Sequence, residues 1–278
     1  MLSFDINRSW YDGLYQDKGS VVAAARSFKL VHEEKSEKAV LLIHGYAGYP
    51  GELVRPANDL YAAGFDVYVP RLPGMGTTGK DFVNSSSHDW LTVCSNALKE
   101  LLLSYDSVDI VAHSMGTLIG IILASSFSVN HLVLASPAFK MPALKPTLIK
   151  FLSLFKKDIS IAWQSDPRYH LHYEGAPADD AVLGKEYWSH IYPTALKELI
   201  KLQKSALKLF PHLTCDTLLI AATNDQITDP FMVEKIALEK KKGITKCIYI
   251  KDATHYLFYD ISPKAEDEAV KAVLEFLS

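Results

Sequence analysis

Val108-Asp109-Ile110-Val111-Ala112-His113-Ser114-Met115-Gly116-Thr117-Leu118-Ile119-Gly120 is the stretch that decides the fold. Residues 108–111 are a short, β-branched run with the length and composition of a buried parallel strand. Leu118, Ile119, Ile121 and Ile122 follow as an apolar run, read as a helix lying against a sheet. Ser114 stands between them, with the small residues Ala112 and Gly116 two positions away on either side. A serine at a sharp strand-to-helix turn is held in a strained backbone conformation, its hydroxyl lifted clear of the sheet. Bulky residues two positions away are expected to collide across the turn. The first N–H groups of the helix point at any negative charge that forms beside Ser114. The stretch predicts a nucleophile elbow, with Ala112 where the commoner pattern has glycine.

A serine is a poor nucleophile at neutral pH, so an elbow implies a base and a partner that fixes the base's tautomer. On an open α/β sheet these follow in the order acid, then histidine, each just past a late strand. Residues 217–222 read as such a strand and lead into Thr223-Asn224-Asp225-Gln226-Ile227-Thr228-Asp229-Pro230. Residues 247–250 read as the next and lead into Lys251-Asp252-Ala253-Thr254-His255. Asp225 is assigned as the acid because it is the first acid past the strand. Asp229 is its main competitor, but an acid before proline at a helix start more naturally caps that helix. Asp216 precedes the strand and belongs at the opposite edge of the sheet. His255 is the only histidine after Asp225. For the oxyanion of a tetrahedral intermediate, the backbone N–H of Met115 is one candidate donor. The second is the N–H of Tyr46, in the loop His44-Gly45-Tyr46-Ala47-Gly48 that follows the apolar strand run 39–43. His44 is read as a structural residue of that loop.

Strand and helix patterns alternate along the rest of the chain. Residues 28–32 read as an edge strand and 33–38 as a charged hairpin loop. A helix over 52–63 ends at Gly64, a strand covers 66–69, and an amphipathic helix covers 90–103. After a strand at 131–135 the rhythm breaks. Leu144, Leu148, Phe151, Leu152 and Phe155 repeat at helical spacing, and a second helix runs over 194–209. Between them lies an aromatic, loop-like stretch with Trp163, Tyr169, Tyr173, Tyr187, Trp188 and Tyr192. The rhythm resumes at 217 and closes with helices at 231–242 and 264–277. The expected architecture is α/β, a mostly parallel central sheet flanked by helices. Residues 1–136 and 214–278 form its core, and 137–213 form an inserted helical cap over the carboxyl ends of the strands. The lysines at 145, 150, 156 and 157 suit either a helix at a membrane or lipid surface or the solvated face of a packed helix, and the second is the reading taken. The run Glu239-Lys240-Lys241-Lys242 is read as favourable charge at a helix C-terminus.

Composition narrows the partners. The 278 residues carry a net charge of −3, leaving no surplus of cations for a nucleic acid. Cys94, Cys215 and Cys247 suit neither a zinc site nor a redox pair and are expected to be buried thiols in a reducing compartment. His170 and His172 have strand spacing, but no third ligand is evident, so no metal is expected. The N-terminal residues lack the apolar core of a signal peptide, and no run is long enough to span a bilayer. A cytoplasmic protein is expected.

The runs His44 to Gly48, Pro70-Arg71-Leu72-Pro73-Gly74-Met75-Gly76-Thr77, His88-Asp89-Trp90, Ser114-Met115-Gly116, Asp225-Gln226-Ile227 and His255 together give the chain its resemblance. It resembles the α/β-hydrolase superfamily, and within it the bacterial carboxylesterase and monoacylglycerol lipase group. Ala112, Thr117 and Met75 depart from that group's usual glycine, glycine and histidine. The resemblance implies a triad of Ser114, Asp225 and His255, the oxyanion donors Tyr46 and Met115, and no cofactor. The expected reaction is hydrolysis of carboxylic esters of short- to medium-chain acids through an acyl-enzyme. The substrate is a small ester, with monoacylglycerols and other lipids among the options. A peptidase, thioesterase or acyltransferase on the same residues is the alternative, and a non-catalytic binding protein the remoter one.

Overall fold

The computed structural model describes residues 15–173 and 176–278, with side chains described outside 174–177. The reading of the extreme N-terminus therefore lies outside the described residues. In chain order the elements are β1 (Phe28–Leu30), β2 (Lys38–Ile43), α1 (Val54–Ala62), β3 (Asp66–Val69), α2 (Gly79–Asn84), α3 (Ser87–Ser104), β4 (Ser107–His113), α4 (Met115–Ser126) and β5 (His131–Ala135). Then come α5 (Pro146–Phe155), β6 (Ile159–Ser160), α6 (Ala176–Leu183), a π-helical turn Gly184–Trp188, β7 (His190–Ile191), α7 (Pro193–Leu209), β8 (Asp216–Ala222), α8 (Met232–Ala237), β9 (Thr245–Ile250) and α9 (Pro263–Leu277).

Seven strands form one sheet in the order β1-β3-β2-β4-β5-β8-β9. Only β1 is antiparallel, pairing with β3 at the edge, and the remaining neighbours are parallel. Strand alternation divides the interior in two. Leu41, Ile43, Ile110, Leu132 and Leu219 face one apolar cluster, shared with residues of α3, α4 and α7. Val40, Leu42, Val111, Val133 and Leu218 face the other, shared with α1 and α9. Because helices cover both faces, the strands read as continuous apolar runs. A buried leucine or isoleucine here contributes about 2 kcal/mol relative to exposure.

Several expectations change. Residues 33–37 do not close a hairpin, because β3 is inserted between β1 and β2. The helix expected from 90 begins at Ser87, where Ser86 and Asp89 make a reciprocal capping box. Helix α8 stops at Ala237, so Glu239 to Lys242 lie beyond it in tight turns, and the lysine run does not sit in its last turn. Only Cys94 is buried. Cys247 is half-buried because β9 is an edge strand, and Cys215 because it lies in the turn entering β8. The stretch read as loop between α5 and α7 contains α6, the π-helical turn and the antiparallel pair β6–β7. Residues 15–27, unplaced by sequence, pack on the Pro70-to-Thr77 turns. There buried Arg71 pairs with Asp17 at 2.7 Å and stacks over Tyr15 at 4.0 Å.

Candidate active site

Ser114 lies between β4 and α4 with φ 54° and ψ −120°, a conformation that L-residues rarely adopt. The local sequence permits it through Gly116. A Cβ on Gly116 would lie 2.3 Å from the Ile43 carbonyl oxygen and 2.7 Å from that of His44. The constraint is therefore contact with the end of β2, and the expected collision across the turn itself is corrected. The backbone turn is closed by Thr117, whose Oγ1 donates to the Ser114 carbonyl at 2.5 Å and accepts from Ala138 N at 3.3 Å.

The structure brings Ser114, His255 and Asp225 together. Ser114 Oγ donates to His255 Nε2 at 2.8 Å, and His255 Nδ1 donates to Asp225 Oδ2 at 2.8 Å. An ionised Asp225 only accepts, so Nδ1 carries the proton and Nε2 is left free to take the serine's. Burial pushes the Asp225 carboxyl up. Hydrogen bonds from His255 and from the backbone and side chain of Thr228 outweigh that and hold it below the ordinary carboxylate range. Thr228 reaches it with N–H at 2.7 Å and Oγ1 at 2.8 Å, and Ile227 N adds a bond at 2.8 Å. Asp229 instead pairs with Lys140 at 2.7 Å and accepts from Phe231 N at 3.1 Å. Asp216 accepts from Ile244 N at the other end of β8.

Met115 opens α4, so its N–H is among those without a partner inside the helix. The loop after β2 runs directly alongside. A Cβ on Gly45 would come within 3.1 Å of Ser114 Cβ and 3.5 Å of its Oγ, which puts the Gly45–Tyr46 backbone at the hydroxyl. Buried His44 fixes that loop. Its Nδ1 donates to the Gly45 carbonyl at 3.0 Å and its Nε2 accepts from Leu72 N at 3.1 Å, while burial pulls its pKa down to about 3 and keeps it neutral.

Two supports are absent from the sequence reading. His113 donates from Nε2 to the His255 carbonyl at 2.9 Å, and burial likewise lowers its pKa to about 3. Thr254 bonds the buried Asp260 through both N–H and Oγ1, pinning the loop that presents His255. The histidine next to Ser114 and the Asp225-x-x-Thr228 turn were visible in the sequence, but nothing there says which way His113 turns.

Ser114 and His255 open into a cavity of about 910 Å³. Its wall includes Met141, Leu144, Trp163, Trp188, Tyr256 and Leu199. Three carboxyls line it as well, Glu52, Asp166 and Asp180. Burial raises Glu52, to about 8, and Asp180. Trp188 Nε1 donates to the Ala47 carbonyl at 3.0 Å and Tyr187 OH to that of Gly74 at 2.9 Å, tying residues from the 137–213 stretch to the loops beside Ser114. His170 and His172 lie in irregular chain with no strand spacing. Both line the cavity, and His172 Nε2 also bonds Glu266 at 2.5 Å. Among the described residues no group of three or more His, Cys, Asp or Glu could hold a metal ion. Among them no helix is long and apolar enough to cross a membrane.

The sequence is 24% identical over 218 residues to a thermostable monoacylglycerol lipase of Bacillus sp. (strain H-257), covering 76% of this chain and 78% of that one. In structure it is similar to one of two metagenome-derived lipolytic enzymes, LipS and LipT, with a TM-score of 0.78 and 21% identity over 92% of this chain and 98% of that one. The monoacylglycerol lipase of Paleococcus ferrophilus gives a TM-score of 0.70 with 23% identity, covering 90% and 97%. These likenesses fix the α/β-hydrolase fold. With the model of the Hydrolase_4 family (serine aminopeptidase, S33) matching residues 34–262, the chain belongs to that family of α/β-hydrolases.

Proposed function

We propose that the chain is a serine hydrolase that cleaves carboxylic esters of short- to medium-chain acids, monoacylglycerols among them, through an acyl-enzyme. The carrying observation is the unbroken chain Ser114–His255–Asp225, with both bonds at 2.8 Å, on the wall of a largely aromatic and aliphatic cavity. In this reading Ser114 Oγ attacks the ester carbonyl while His255 Nε2 takes its proton. His255 then returns the proton to the departing alcohol. Water repeats the sequence in reverse to free the acid. Asp225 holds the imidazole in the tautomer that can accept. The N–H groups of Met115 and Tyr46 receive the oxyanion, and each such donor is worth about a hundred- to a thousand-fold in turnover. Residues 137–213 act as a cap that supplies much of the cavity wall, where an acyl chain is desolvated. No cofactor takes part, and a cytoplasmic location fits the three free thiols.

The lipases similar in sequence and fold support the ester reading. A second reading, an aminopeptidase, is favoured by the family's own description and by Glu52 and Asp180 in the cavity, where carboxyls could receive a substrate amine. Hydrolysis of p-nitrophenyl esters from acetate to palmitate, beside aminoacyl p-nitroanilides and with Ser114→Ala as control, separates the two. A maximum at short or medium acyl chains, abolished in the variant, is expected. Faster turnover of anilides than of any ester would overturn the ester reading in favour of the peptidase.

A further inference from the structure

Ala47 is the strained point of the loop that carries the candidate oxyanion donor Tyr46. Its φ of 53° lies in the left-handed region, which an alanine keeps only where its surroundings hold it there. Within the loop the turn is closed by Gly48 N on the Gly45 carbonyl at 3.3 Å, just beyond the usual range for such a bond. A firmer bond reaches Ala47 from outside. Trp188, 141 residues further along the chain, donates from Nε1 to the Ala47 carbonyl at 3.0 Å.

The π-helical turn Gly184–Trp188 places the indole for this contact. π-helical turns recur at functional sites, and this one sends three consecutive side chains to the core loops. Glu186 Oε2 accepts from Gly79 N at 2.9 Å. Tyr187 OH donates to the Gly74 carbonyl at 2.9 Å and accepts from Thr77 N at 2.8 Å. Trp188 is the third. Against its ring, at 5.4 Å between centroids, lies Trp163, which packs on Gly184 so closely that a Cβ there would overlap it. Phe82 adds a second link, its ring meeting those of Tyr46 at 5.1 Å and Tyr187 at 5.5 Å. The Tyr46 ring and the Ala47 carbonyl, both just past the donor N–H, are thus held from one turn. Trp163 and Trp188 also line the cavity.

We propose that Trp188 is a positioning residue for the oxyanion hole. Its indole N–H keeps Ala47 in the left-handed conformation, and that fixes the direction in which the Tyr46 N–H points beside Ser114. The inference rests on the reading of Tyr46 N–H as an oxyanion donor. It adds that the wall of the cavity that receives the substrate also sets the aim of that donor. A donor helps only when aimed at the site of the developing oxyanion, so losing the Trp188 bond lowers turnover and spares ground-state binding.

The test compares the full chain with Trp188→Phe, which keeps an aromatic wall and removes the N–H. A second variant carries 3-benzothienylalanine at position 188, where sulfur replaces the N–H in a ring of nearly the same shape, so the packing is retained. Two quantities are read. One is kcat and KM for p-nitrophenyl butyrate; the other is inhibition by n-butylboronic acid, which forms a tetrahedral adduct on a serine. Both variants are expected to lose about ten- to hundred-fold in kcat, part of what a whole donor contributes. KM is expected to stay within about two-fold of wild type. Boronate affinity is expected to fall by the same factor as kcat/KM, because an oxygen of the adduct occupies the oxyanion position. A residue that only supports the fold would not move those two together while sparing KM. Unchanged kcat and boronate affinity in both variants, or a rise in KM that accounts for the whole loss, would overturn the role of Trp188 alone. A folded wild type that neither cleaves the ester nor binds the boronate would overturn the reading of the site, and the proposal with it.

Discussion

Glu52→Gln tests the electrostatics of the cavity without touching the reacting groups. Glu52 is 5% exposed, its carboxyl packed so close to Gly48 that a Cβ there would meet Oε2 at 2.6 Å. Burial raises its pKa from 4.5 to about 8, against the opposing effect of a hydrogen bond with Tyr259. Below pH 4.5 the carboxyl is protonated folded and unfolded, and titration costs nothing. Between 4.5 and 8 the unfolded chain ionises while the folded chain keeps its proton. The native state then binds more protons, and stability falls as pH rises. Above 8 both states are ionised and the cost is constant. At 1.36 kcal/mol per pH unit the full span corresponds to about 5 kcal/mol, and water in the cavity reduces this to about 3 kcal/mol. Glutamine is isosteric with the protonated acid and does not titrate. Urea denaturation at pH 5 and pH 9 should therefore show the variant's advantage over wild type growing by about 3–5 kcal/mol between the two. An advantage unchanged across that range, or a variant less stable at pH 9 than at pH 5 relative to wild type, would refute the assignment of a buried, neutral carboxyl.

Other substitutions probe the elbow and its supports. Asp225→Asn should leave the fold intact and lower kcat about ten-thousand-fold, because an amide no longer demands the Nδ1–H tautomer of His255; a loss below ten-fold would remove Asp225 from the proposed triad. Gly116→Ala drives a methyl to 2.3 Å from the Ile43 carbonyl and should cost about 3 kcal/mol, with a matching fall in thermal midpoint by calorimetry. Wild-type stability in that variant would mean β2 and α4 are not in contact as described. His113→Phe leaves the buried His255 carbonyl without its donor, so about 1–3 kcal/mol of stability should go, and kcat should fall with KM little changed. An altered KM at constant kcat would point instead to a substrate contact.

The core was legible because both sheet faces are covered. The central strands announce themselves as largely apolar runs, broken in β4 by the buried Asp109, and Ser114, Asp225 and His255 stand out just past the ends of those runs. Choosing Asp225 over Asp229 needed only its place relative to the strand, and the two acids do differ in environment: one is buried on His255, the other paired with Lys140. The supports were illegible for a different reason. Thr228, His113 and Thr254 act through single side-chain hydrogen bonds whose direction depends on rotamers, which a sequence pattern does not encode.

Helix α5 shows where pattern reasoning stops for a geometric reason. Periodicity places Leu148, Phe151 and Phe155 on one face, but it is silent on which face the fold turns inward. Default reasoning points the apolar stripe at the core, because burying it contributes about 2 kcal/mol per large side chain. Here α5 buries Ile149, a quarter-turn round the helix from Leu148, and leaves that stripe out. In water that orientation forgoes the burial of four large side chains, Leu148, Phe151, Leu154 and Phe155, and the period of the sequence holds no signal for that choice of face.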